Sequence, residues 1–170
     1  VMDVGNPIQV SIGQFYGIEI NDFAVTVAKT ALWIAESQMM KETEDVVHMS
    51  LDFLPLKSYA NIVEGNALRL DWESVVSKHE LDYIMGNPPF VGHQNRTKTQ
   101  VEDLKIAFHD LPKHGKLDYV CGWYNKASDY MESTQIQSAF VSTNSIVQGE
   151  SVGILWKFLF DKGVKIQFAH

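Results

Sequence analysis

Asn87, Pro88, Pro89 and Phe90 stand in a row at the end of a short apolar run, Leu81-Asp82-Tyr83-Ile84-Met85-Gly86. The Asn87 side-chain oxygen and the Pro88 carbonyl put two acceptors at one point. Proline has no N–H, so its carbonyl sits in a rigid frame with no competing donor. An exocyclic amine conjugated to a purine is a poor nucleophile, because its lone pair is delocalised into the ring. Acceptors that take both of its hydrogens would localise that lone pair, and Phe90 would stack on the face of a base extruded from a duplex. The plainer alternative is a Pro-Pro turn after a strand, with Asn as turn former.

The elements that must position these groups are legible nearby. Tyr83, Ile84 and Met85 read as a buried strand, and the two prolines end it because they lock φ and donate no ladder hydrogen bond. Asn87 is thereby held at the carboxyl end of a strand, where ligands bind in open α/β sheets. Upstream, Phe15-Tyr16-Gly17-Ile18-Glu19-Ile20 is a compact strand followed by an N-cap pair, Asn21-Asp22. Phe23, Val27, Ala31 and Ile34/Ala35 recur at helical spacing, with Ala24, Ala28 and Leu32 broadening the stripe, so a helix packed on a sheet is expected to about Met40.

Strand, acidic residue, then helix is the second βα unit of nucleotide-binding α/β folds, in which a carboxylate accepts from both ribose hydroxyls. Glu19 holds that position, a solvent-facing strand end being the alternative. Lys41 to Tyr59 reads as a long connection, and residues 1–14 as an irregular lead-in. Ala60-Asn61-Ile62-Val63-Glu64 resumes as a strand and enters a small turn, Gly65-Asn66-Ala67-Leu68, where a backbone amide can approach a ligand closely. Asp71 and Trp72 begin a short helix or loop.

Together these motifs resemble the catalytic core of S-adenosylmethionine-dependent DNA adenine-N6 methyltransferases, in particular those of the type IIG/IIL restriction-modification polypeptides. The resemblance covers most of residues 13–170. It implies that Asn87, Pro88, Pro89 and Phe90 hold the flipped target adenine of a DNA partner. It also implies that S-adenosylmethionine is the cofactor, with Glu19 on its ribose and Ile20 packed against its adenine. Asn66 would contact the adenine N6 and the Ala67 amide a ring nitrogen; the family more often has Asp at that place, and an amide oxygen accepts the same bond. Tyr124, with Trp123 beside it, matches an aromatic that covers the adenine, with structural packing as the alternative.

The chain departs from the family pattern in showing no Gly-rich Asp-Pro-x-x-Gly-x-Gly motif. In the family's sheet, that first βα unit stands between the strand ending at Glu19 and the strand ending at Asn87. The expectation is an α/β fold, a doubly wound and mostly parallel sheet of the class I methyltransferase (Rossmann-like) type, incomplete at that unit. Residues 1–170 then make a partial catalytic domain, with any target-recognition domain or nuclease elsewhere. A gap or altered pairing beside the Phe15–Ile20 strand, or self-association of the isolated chain, should follow. Protein-glutamine and RNA-base methyltransferases share the Asn-Pro-Pro-aromatic tetrad and are the alternatives, as is a non-catalytic fragment.

The C-terminal half continues the alternation. Val91 to Lys116 reads as a loop and helix, long enough to be functional or mobile. A helix from Leu117 to about Ser133 has Val120, Tyr124, Ala127 and Met131 on one face. A buried strand at 138–143, a helix from Val152 to Phe160 and an alternating strand from Val164 to Phe168 follow.

With 45% apolar residues among 170, an ordinary core is expected. A single cysteine, Cys121, excludes an internal disulfide, and the absence of an apolar run near membrane-spanning length points to a cytoplasmic, soluble protein with no membrane partner. A net charge of −7 argues against a wholly DNA-binding surface, yet His93 to Leu117 carries five basic and three acidic residues, leaving −9 on the rest. His93, His109 and His114 lack metal-ligand spacing and read as surface residues, so no metal is expected.

Overall fold

In the computed structural model, residues 9–48, 61–109, 111 and 113–169 are described. The lead-in from Val1 to Ile8, with Gly5, Asn6 and Pro7, lies outside them, as does the connection from Met49 to Ala60 with Leu54-Pro55-Leu56. The chain divides into two compact units, Val1–Ala67 and Leu68–His170.

In the first unit, β1 (Tyr16–Glu19) and β2 (Asn61–Glu64) pair in parallel, Tyr16 opposite Asn61 and Glu19 opposite Glu64. The connection between them includes α1 (Asp22–Val47). Asn21 starts that helix as expected, its side chain accepting from the Ala24 N–H at 3.2 Å. The helix runs seven residues past Met40, because nothing in Lys41–Val47 breaks it; it ends at His48, which is left-handed at φ 53°. Gly17 allows the two strands to mesh, since a β-carbon there would lie 2.7 Å from Ile62 Cδ1.

The face of α1 that is buried is one edge of the broad stripe expected. Val25 is buried and Ala24, Ala28 and Leu32 half-buried, while Phe23, Val27, Ala31, Ile34 and Ala35 are exposed, Phe23 by 73%. Two strands cover only a narrow band of the helix, so the rest of its apolar stripe is left in the open.

The second unit contains β3 (Tyr83–Gly86), α2 (Lys98–Ala107), α3 (Cys121–Tyr130), β4 (Gln137–Phe140) and α4 (Glu150–Asp161). β3 and β4 are also parallel, Tyr83 opposite Gln137 and Gly86 opposite Phe140. The described strands thus form two parallel pairs, and among the described residues no ladder adds a third strand to either. Tyr83 and Met85 are exposed rather than buried, and so is most of β4, because among the described residues each strand has one neighbour and one covered face.

The core of this unit is helical. Leu68, Leu104, Phe108, Leu117, Val120, Cys121, Leu155 and Leu159 are at most 1% exposed, and each large side chain so buried contributes about 1.5–3 kcal/mol. Asp71 caps a short 3-10 turn, Trp72–Ser74, through the Glu73 N–H. The stretch from Val91 to Lys116 is largely folded onto the core, since α2 buries Asp103, Leu104 and Ala107 behind a Thr97–Gln100 capping box.

Val164 to Phe168 has no regular secondary structure and pairs with no strand among the described residues. The Val164 N–H instead closes the end of α4 on the Leu159 carbonyl at 3.1 Å, and the Gly163 N–H bonds Phe160 O at 2.9 Å. Gly163 at φ 86° makes this a Schellman ending.

Candidate functional site

The first unit places two acceptor-bearing strand ends side by side. Glu19 ends β1 opposite Glu64 at the end of β2, and the Gly65 N–H donates to the Glu19 carbonyl at 2.8 Å. That bond continues the pairing past the strands and brings Asn66 and Ala67 to the same carboxyl edge as Glu19 and Ile20. Glu19, Asn66 and Ala67 are half-buried, while Ile20 is 69% exposed.

This donor and acceptor set fits a nucleoside. A carboxylate suits two vicinal hydroxyls, an amide and a backbone N–H suit the edge of a base, and an exposed branched aliphatic suits its face. S-adenosylmethionine carries such a nucleoside, so Glu19, Ile20, Asn66 and Ala67 are the residues here that would hold it.

The second unit carries Asn87, Pro88, Pro89 and Phe90. Strand β3 ends at Gly86, whose carbonyl accepts from the Val141 N–H at 3.0 Å. A β-carbon on Gly86 would lie 3.3 Å from the Phe140 ring, so the strand end is closely backed. Asn87 follows and is exposed, Pro88 is buried, Pro89 is exposed and Phe90 is 41% exposed. Among the described residues, the Asn87 side chain has no hydrogen-bond partner. The order is thus an open amide, a fixed proline and an open aromatic.

Tyr124 lies on α3 within an aromatic cluster. Its ring meets Phe140 edge-on at 5.3 Å and Trp156 at 5.8 Å, and its hydroxyl is 3.0 Å from Ser142 Oγ. Burial pushes the phenol pKa up, with the Ser142 hydrogen bond opposing. Trp123 instead packs edge-on against Tyr119 at 5.2 Å.

The basic segment is partly neutralised within the unit. Arg96 donates to the backbone carbonyls of Gly115 and His93, and desolvation lowers its pKa. Lys116 pairs with Glu150, holding that carboxyl below its usual range, and Lys105 reaches Glu102 at 3.5 Å. His93 and His109 are exposed, whereas His114 is half-buried with Nδ1 2.9 Å from the Leu111 carbonyl, a turn-closing role its spacing did not reveal.

Several buried polar groups carry structure that their spacing in the sequence does not show. Asp103, 1% exposed, accepts from Arg69 Nε at 2.5 Å and from the Tyr119 hydroxyl at 2.7 Å. Asn125, 2% exposed, donates to the Ala107 carbonyl and accepts from Lys162 Nζ at 2.8 Å, tying α2, α3 and the end of α4. Asp118, 7% exposed, accepts from the Val91 N–H just beyond Phe90. The available signal was an acidic residue inside an apolar run, Leu117-Asp118-Tyr119-Val120.

Parallel strands joined through helices, with polar groups gathered at strand ends, are an α/β fold of the class I methyltransferase type. The chain belongs to the MmeI DNA-methyltransferase domain family, whose model matches residues 2–170. It is 42% identical over 164 residues to DNA methyltransferase A of Bacillus subtilis (strain 168), covering 95% of this chain and 19% of that protein. It also superposes on the type IIL restriction-modification enzyme MmeI, solved in complex with DNA, with a TM-score of 0.86 and 42% identity. That match covers 92% of this chain and 21% of that one, so the chain spans about a fifth of the length of these relatives. The resemblance to restriction-modification methyltransferases drawn from Glu19, Asn66 and Asn87–Phe90 is thereby borne out at the level of the family.

Proposed function

We propose that the polypeptide containing this chain transfers a methyl group from S-adenosylmethionine to the N6 amine of an adenine in DNA, as part of a restriction-modification protein. The observation that carries this reading is the order at the end of β3: an exposed Asn87 amide, a buried Pro88 and a half-open Phe90 ring. Its support from relatives is that one is named a DNA methyltransferase and another was solved with DNA.

Bound S-adenosylmethionine supplies an electrophilic methyl carbon on a sulfonium. Asn87 Oδ1 and the Pro88 carbonyl accept the two N6 hydrogens, so the nitrogen lone pair is no longer spread into the ring. Phe90 stacks on the extruded base and fixes its plane. The amine loses its proton after attack, so no strong base is needed, and orientation with exclusion of water carries the rate. Glu19, Ile20, Asn66 and Ala67 bind the donor's nucleoside.

The test uses the whole polypeptide, radiolabelled donor and nucleoside analysis of the methylated product. Label in N6-methyladenine from DNA is expected; label in RNA or protein instead would overturn the substrate. Asn87→Ala should lower methyl transfer by orders of magnitude with donor affinity near normal. Equal loss of both would make Asn87 a structural cap. Phe90→Ala should weaken capture of the extruded base by about 1–3 kcal/mol.

A further inference from the structure

Phe90 lies between two anchored residues. On one side Pro88 is buried. On the other, both polar backbone atoms of Val91 are held by the segment that opens α3: its N–H donates to Asp118 Oδ1 at 3.1 Å, and its carbonyl accepts from the Tyr119 N–H at 3.0 Å. Asp118 Oδ1 also accepts from the Val120 N–H at 3.1 Å, and Oδ2 from Ser145 Oγ at 3.1 Å. One carboxylate therefore joins the chain after Phe90, the start of α3 and the turn after β4.

The anchor is stiff because its surroundings are. Leu117 and Val120 are fully buried and Tyr119 nearly so. Beyond Val91 the chain has room, since a β-carbon at Gly92 would meet nothing within 4 Å. Gly92 borders a cleft of about 380 Å³ walled in part by Lys116, Asp118, Ser145 and Glu150. The Val91 side chain packs on the core, but packing of a single branched side chain fixes position better than it fixes peptide orientation. The hydrogen bonds to Asp118 and Tyr119 fix the orientation, and that of the preceding residue with it.

We propose that Asp118 is a positioning residue for methyl transfer. It touches neither base nor donor, and acts by holding the peptide after Phe90 so that the ring and the Asn87-Pro88 acceptors meet the base together. This rests on the reading of residues 87–90 as the base-binding segment.

The test compares D118A, D118N and N87A in the whole polypeptide. It uses a DNA duplex containing the polypeptide's own methylation site, with 2-aminopurine at the methylated position for fluorescence and adenine for kinetics. In D118N the amide oxygen still accepts from Val91 and Val120, and the amide N–H can donate to Ser145.

D118A should lower kcat about 10- to 100-fold, as expected for a misplacement near 1 Å. Donor affinity should stay within about twofold, and 2-aminopurine emission should depart from the parental value as the base's stacking on Phe90 changes. D118N should restore kcat to within about threefold of the parent. D118S replaces D118A if the latter fails to fold, with the same expectations.

Parental kcat and emission in D118A would overturn the proposal. So would a D118N as impaired as D118A, or a loss of donor binding in parallel with kcat, since these mark a purely structural carboxylate. N87A separates the two readings: if N87A stays active the base-site reading fails, whereas an inactive N87A beside a fully active D118A removes only the role of Asp118.

Discussion

The Tyr124 hydroxyl lies 3.0 Å from Ser142 Oγ, so a helix that starts at Cys121 is tied to the chain just past β4 by a side-chain bond spanning 18 residues. The same ring is packed edge-on by Phe140 and Trp156. Tyr124 thus has a structural task irrespective of any contact with a nucleoside. Tyr124→Phe keeps the ring and removes the hydroxyl, so it should cost about 0.5–1.5 kcal/mol of stability and leave S-adenosylmethionine affinity unchanged. Tyr124→Ala should cost about 3 kcal/mol through the cavity it leaves. Denaturant melts and calorimetry on both variants separate the roles: an affinity loss in the Ala variant larger than its folding loss explains would place the ring on the adenine.

Glu19 offers a sharper test of the donor site. Glu19→Gln preserves shape and the β1 register but removes the acceptor-only character suited to two hydroxyls. S-adenosylmethionine affinity should fall by about 1.5–3 kcal/mol, the range for losing hydrogen bonds to a charged group. Titration calorimetry on the whole polypeptide reads this directly, and an unchanged affinity would put the ribose elsewhere.

What the sequence revealed and what it concealed divide along the range of the interactions. The cap at Asn21, the ends of β1 and β2 and the prolines after β3 are set by neighbours in the chain, and all were legible. The exposure of Phe23, Val27 and Ile34 was not, because periodicity shows that a helix has an apolar stripe without showing how much of it the sheet will cover. The run Tyr83-Ile84-Met85 reads as covered on both faces, yet with one paired neighbour among the described residues only Ile84 turns inward. Asp118 stayed hidden for the opposite reason, since Val91 and Ser145 each lie 27 residues away from it. Of the candidate site, residue types were readable and the support beneath them was not.

Gly122 shows where close packing sets the sequence of α3. A β-carbon there would lie 2.9 Å from Leu68 Cδ1 and 3.0 Å from Leu104 Cδ2, and both leucines are fully buried with little room to give. Gly122→Ala gains up to about 1 kcal/mol in helix propensity. Overpacking costs about 1–3 kcal/mol, so the balance should be destabilising. A denaturation midpoint raised in this variant would mean that Leu68 and Leu104 can move aside.

Cys121, beside it, should be chemically silent. Burial and the nearby Asp118 push its thiol from an ordinary 9.0 to about 12. Iodoacetamide at pH 8.5 should therefore leave Cys121 unmodified in the folded protein and alkylate it on denaturation. The stabilisation linked to this shift is present below 9.0 and is lost as pH rises towards about 12, where the folded thiol also ionises. Rapid alkylation under native conditions would show that the core around Leu117 and Val120 opens.

The exposed strand edges and faces of β3 and β4 bear on association between chains. Tyr83 is 66% exposed and Met85 78% exposed on a strand that, among the described residues, is paired along one edge, whereas the expectation of self-association drawn from the sequence rests on strand edges beside a first βα unit that the motifs do not show. An uncovered edge offers N–H and C=O groups to another chain, and apolar side chains on the same strand add area to that contact. A polypeptide of these 170 residues alone should accordingly self-associate with rising concentration. Met85→Lys puts a charge on the exposed side of β3 and leaves the inward Ile84 untouched, so it should reduce association with little cost to folding. Sedimentation velocity over a concentration series, with circular dichroism as the folding control, decides it. A parent chain that stays monomeric at every concentration would show that these edges are guarded in solution, and association unaffected by Met85→Lys would move the contact away from β3.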